Sequence, residues 1–136
     1  MSVTKNKAAV RRHIEEAWNK GNLAATAETI SSDFVPAGPM KLKGPDDFNK
    51  IIMGNLQAIP DIHITIDDMV AEGDKVAMHC TWTGTFTGEY FGIKPTGKPF
   101  KIQDVFFYRM KDGKIADTWQ LEDGTFWKQV GIPTPP

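Results

Sequence analysis

Upstream of Pro60 the apolar residues recur every three or four positions, and downstream of it every second one. Ala9, Val10, His13, Ile14, Ala17 and Trp18 mark one buried stripe and predict a helix over 3–20. Arg11, Arg12, Glu15 and Glu16 cover its other side, and Gly21 is a natural stop. A second helix is expected over 23–31. A third is expected within "KGPDDFNKIIMGNLQAIPD", where Pro45 suits the first turn and Asp46 and Asp47 suit the N-terminal dipole.

Four strands follow. Ile62, Ile64, Ile66, Asp68 and Val70 share one face of the first; Val76, Met78, Cys80 and Trp82 share one face of the second. After the loop "GIKPTGKP", Phe100, Ile102, Asp104, Phe106, Tyr108 and Met110 line one face of the third. "KDGK" is a hairpin turn. Ile115, Asp117, Trp119, Leu121 and Asp123 then share a face of the fourth, and "TFWKQV" reads as a short helix. Helices first and meandering strands afterwards argue an α+β fold, with three N-terminal helices packed on a curved, mainly antiparallel sheet. A sheet that curls away from its helices leaves a cone-shaped cavity, where a ligand site is expected.

Composition narrows the setting. The 136 residues suit a single domain, with 132–136 as a proline-rich tail. A net charge of −1 favours neither a nucleic acid nor an anionic membrane as partner. The N-terminus has no apolar core of a secretory signal, and no apolar run is long enough to span a bilayer. The single cysteine, Cys80, excludes a disulfide within the chain and fits a reducing, cytoplasmic setting.

The candidate chemistry lies in acids on apolar strand faces. Asp104 falls among Phe100, Ile102, Phe106 and Tyr108, and a buried carboxylate needs a partner, a raised pKa, or both. A bulge that shifts the register would turn it to solvent instead. Asp123 shares parity with Trp119 and Leu121. Standing before Gly124, it also suits an Asx-turn or a helix cap. Asp117 lies near the hairpin, where a surface ion pair is expected. His13 edges the first helix's stripe, while His63 and His79 fall on outward parities. These scattered histidines form no metal-ligand spacing, and neither metal nor cofactor is expected. Cys80 reads as buried filler, and the glycine-rich "GTFTGEYFGIKPTG" lacks the pattern of a phosphate-binding loop.

Taken together, "PD", "EGDKVA", "TGTFTG", "PTGK", "DGKI", Trp119, Asp123 and "QVG" resemble the SnoaL-like polyketide cyclases of the NTF2-like superfamily over roughly residues 5–132. The resemblance implies a cone-shaped α+β barrel, a homodimer, and a cavity on the concave sheet face. It gives Asp123 the acid–base role in an intramolecular aldol closure. Where the family has a histidine partner on the neighbouring strand, this chain has Asp104, Phe106 and Tyr108. "WNKGNLAATAETISSDF" also resembles the ketosteroid isomerases, but their base falls on Gly38 before Pro39 and their helix tyrosine near Ile14. The Arg and Asp residues of limonene-epoxide hydrolases fall near Cys80, Trp82 and Leu121. Neither set of residues is matched.

The expected site therefore has Asp123 as acid–base group, Asp104 as second polar anchor and Tyr108 as donor. Trp18, Met40, Trp82, Phe106 and Trp119 are expected to line a largely apolar cavity. The expected ligand is a small apolar or aromatic molecule bearing a carbonyl or hydroxyl. The expected reaction is cyclisation or isomerisation by proton abstraction next to a carbonyl. The alternative is a small-ligand-binding or dimeric scaffold domain without catalysis.

Overall fold

The computed structural model describes residues 2–35 and 42–133. Gly38, Pro39, Met40 and the last three residues of the tail lie outside the described residues.

Helix α1 spans Val3–Arg12, and Ser2 Oγ caps it by accepting from the Lys5 amide at 3.1 Å. The helix continues without a break into a π-helical turn, His13–Trp18, so the expected 3–20 helix is α in its first part and π in its second. Its stripe is buried as expected at Val10, His13, Ile14, Ala17 and Trp18. Helix α2 spans Ala24–Thr29, and α3 spans Gly44–Ala58 with proline at its start and Asp46 and Asp47 in its first turn. A short α4, Phe126–Gln129, closes the chain's ordered elements.

The sheet is an antiparallel meander in the order β1 (His63–Glu72), β2 (Lys75–Thr85), β3 (Pro99–Lys111) and β4 (Lys114–Glu122). It is curved and does not close on itself. Asp112 and Gly113 both take left-handed backbone (φ 52° and 77°), the geometry of the two-residue turn that a right-twisted hairpin needs. Both edges are covered in part. Asn19 holds the free amide and carbonyl of Ile64 at 2.7 and 2.8 Å, and the Ser31 amide donates to Ile115 O at 2.9 Å.

Two bulges correct the expected strand faces. In β1, Ile66 pairs with Cys80 but Asp68 with His79, leaving Asp67 as the extra residue. From there Met69 and Ala71 turn inward and Val70 outward. In β4, Met110 pairs with Ile115 but Arg109 with Asp117, so Ala116 is extra. Beyond it Thr118, Gln120 and Glu122 stand opposite the inward Tyr108, Phe106 and Asp104. The expected inward row of Asp117, Trp119, Leu121 and Asp123 is therefore overturned, because one unpaired residue reverses every later side chain. Strands β2 and β3 have no such insertion between them and present the expected faces.

The core fills the space between the helices and the concave face, centred on Val10, Ile14, Ile52, Ile64, Met78 and Ile115. Among the described residues, no helix is long and apolar enough to cross a membrane.

Candidate active site

Between the helices and the concave face of the sheet, a cavity of about 750 Å³ remains. Aromatic side chains dominate its wall. Trp18 meets Trp82 edge-on at 5.0 Å, Trp82 stacks toward Phe106 at 6.4 Å, and Phe106 lies parallel to Tyr108 at 5.5 Å. Three of the expected lining residues, Trp18, Trp82 and Phe106, and the expected donor Tyr108 are thus brought together on one void.

Asp104 sits on the same wall and is 1 % exposed. The Gln120 amide donates to its Oδ2 at 2.6 Å, while Oδ1 has no partner among the described residues. Burial is the main cause that pushes its pKa up to about 7, and Glu122 and Asp123 add to it against the Gln120 hydrogen bond. Glu122, directly across the strand pair, is raised as well, by burial first and by Asp123 second. A carboxyl poised near neutrality on an aromatic cavity wall is suited to taking and returning a proton. Tyr108 is buried, and its hydroxyl is pushed well above the usual range by burial, so it remains a proton-bearing donor.

Asp123 does not join this group. It is exposed and closes the turn into α4. Its Oδ2 accepts from the Gln103 amide at 2.9 Å, and its Oδ1 accepts from the Thr125 amide and hydroxyl at 3.0 and 2.7 Å. These bonds, the Gln103 amide foremost, hold its pKa below the ordinary value. Trp119 is 53 % exposed and pairs with Phe107 on the outer face, rings 5.6 Å apart. It is among the residues around the cavity, but its ring packs with Phe107 and not with the other cavity aromatics.

Sequence reasoning missed Gln120 and Glu122 and passed over His13. The first two were hidden by the Ala116 bulge. The one sequence signal for it is charge: Arg109 meets Asp117 at 3.6 Å, one residue beyond the partner that plain alternation supplies. Cys80 is filler as expected. Its thiol is pushed up to about 12 by burial and by Asp104, and the nearby Trp82 N–H offsets this slightly without reaching hydrogen-bond geometry.

Residues 8–127 match the family model of the SnoaL-like polyketide cyclases. The chain belongs to that family. Its relatives include the aklanonic acid methyl ester cyclase DnrD of Streptomyces peucetius, 28 % identical over 131 residues that cover 91 % of this chain and 90 % of that one. The aklanonic acid methyl ester cyclase AcmA of Streptomyces galilaeus is 29 % identical over 135 residues, with 94 % and 92 % covered. Among solved structures, TsrD from Streptomyces laurentii superposes with a TM-score of 0.90 over 98 % of this chain and 99 % of its own, at 22 % identity. That likeness establishes the fold, which is the cone-shaped α+β arrangement expected from the sequence. Membership and relatives together support a cyclase-type function.

Proposed function

We propose that the chain closes a ring in a polyketide-derived ester of the kind named for its relatives, with Asp104 rather than Asp123 as the acid–base residue. Asp104 removes a proton from a carbon flanked by a carbonyl. The enolate carbon attacks a second carbonyl of the same molecule, forming one C–C bond, and the new alkoxide oxygen takes the proton back. The product is an isomer of the substrate, so proton transfers suffice. Tyr108 donates a hydrogen bond to one of the two oxygens. The aromatic wall holds the apolar body of the ligand. The observation that carries this reading is the Asp104 carboxyl, buried in the cavity with Oδ1 unpartnered among the described residues and its pKa raised to about 7.

A base must be ionised to act. With aklanonic acid methyl ester as substrate, kcat/KM is therefore expected to climb with pH and level off, with a midpoint near 7. Because Glu122 titrates beside Asp104, that midpoint belongs to the pair. A flat profile between about pH 5 and 9 would remove Asp104 from the chemistry. Binding without turnover at any pH would favour the ligand-binding alternative.

We also propose a homodimer formed through the outer sheet face. Two cross-strand rows, Val70–Ala77–Phe107–Trp119 and His79–Val105–Leu121, run side by side there. Val70, Phe107, Trp119 and Leu121 are each about half or more exposed. A continuous apolar patch of this kind is the usual mark of an interface.

A further inference from the structure

The helical wall of the cavity also holds a polar atom without a partner among the described residues, His13 Nδ1. Its chemical state follows from the π-turn. Trp18 lies five residues after His13, one turn of π-helix, and its indole N–H donates to His13 Nε2 at 3.3 Å. An indole nitrogen donates and does not accept, so Nε2 must be the accepting nitrogen. Burial holds the imidazole neutral, lowering its pKa to about 3. A neutral ring has one proton, and with Nε2 accepting it resides on Nδ1. The result is an N–H donor that is fixed in place, shielded from water and unpaired, which buried N–H groups seldom are. The half-buried Phe48 packs against the imidazole in a T-shaped arrangement, ring centroids 5.1 Å apart, on the same cavity wall.

We propose that His13 Nδ1–H binds a carbonyl oxygen of the substrate, with Trp18 as the positioning residue that fixes its tautomer. Tyr108 is on the sheet and His13 on the facing helix, so the ligand class has two separated carbonyl oxygens, one held from each wall. A neutral imidazole suits this task because it stabilises a developing oxyanion without giving up its proton. The inference rests on the reading of this cavity as the substrate site.

The test uses two planar probes that differ in their carbonyls, anthraquinone-2-sulfonate and anthracene-2-sulfonate, with 15N-labelled protein. The imidazole nitrogens of His13 should show the Nδ1–H form, and the quinone should move that proton's resonance. His13→Phe should weaken the quinone by about tenfold and leave the anthracene unchanged, the scale of one hydrogen bond to a buried donor. Trp18→Phe keeps the imidazole but frees its tautomer. It should mix the two nitrogen signals and weaken the quinone more than the anthracene, which keeps the test open if His13→Phe fails to fold. A proton found on Nε2, or equal losses for both probes, would overturn the proposal while leaving the cavity reading intact. Failure of both probes to bind the wild-type protein would overturn the cavity reading and this inference with it.

Discussion

Asp104 stands among Phe100, Ile102, Phe106 and Tyr108, and its energetics make it more than a polar stray. In the unfolded chain its carboxyl ionises near 3.8; in the folded cavity it does so near 7. Between those values the folded state holds a proton that the unfolded chain has released, so stability falls as pH rises through that window and is level above it. The cost above pH 7 is on the order of 4 kcal/mol, and Glu122 adds to it with the same sign. Asp104→Asn is therefore expected to match the wild type near pH 4 and to exceed it in urea midpoint at pH 8. An equal pH dependence in both proteins would contradict the shifted carboxyl. Asp123 is the opposite kind of residue. Its three accepted hydrogen bonds close a turn, so Asp123→Ala should lower stability by about 1 kcal/mol in denaturant titration and leave turnover within about twofold.

At the scale of elements, the alternation was a sound guide wherever strands paired one to one. Phe100 to Met110 on β3 and Val76 to Trp82 on β2 face as their period said. Beyond Ala116 and Asp67 the same rule failed, because a bulge inserts one residue into the ladder without changing the hydrophobic pattern that announces the strand. Trp119 and Leu121 misled for a physical reason as well. An apolar residue on an outer face reads like a core residue until the register is known. The first helix was legible as a stripe, but not its change of pitch: Val10, Ile14 and Trp18 are buried in either pitch, and only the π-turn aligns Trp18 Nε1 with His13 Nε2. Loop docking is similarly invisible in sequence. Gly88 lies so close to the end of α3 that an added Cβ would fall 1.9 Å from Gln57 O. Gly88→Ala should destabilise the fold by about 1–3 kcal/mol, read as a fall in Tm; an unchanged Tm would mean that the loop does not dock there.

At the scale of the molecule, one sheet presents two surfaces for which separate tasks are proposed. The concave side forms the cavity with the π-helical turn, α3 and α4, and the convex side carries the apolar rows. Placing Phe107→Glu and Trp119→Glu together should convert the proposed dimer to monomer in light scattering and leave Asp104 and its cavity in place. A wild type that is already monomeric at tens of micromolar would contradict the proposed interface. The proposed chemistry requires that the buried acid, not the turn acid, moves the proton. The most direct measurement compares Asp104→Asn and Asp123→Asn for ring closure of aklanonic acid methyl ester under one set of conditions. Asp104→Asn is expected to lose at least about a hundredfold in kcat and Asp123→Asn to stay near wild type. The reverse order, with Asp123→Asn inactive and Asp104→Asn active, would contradict it.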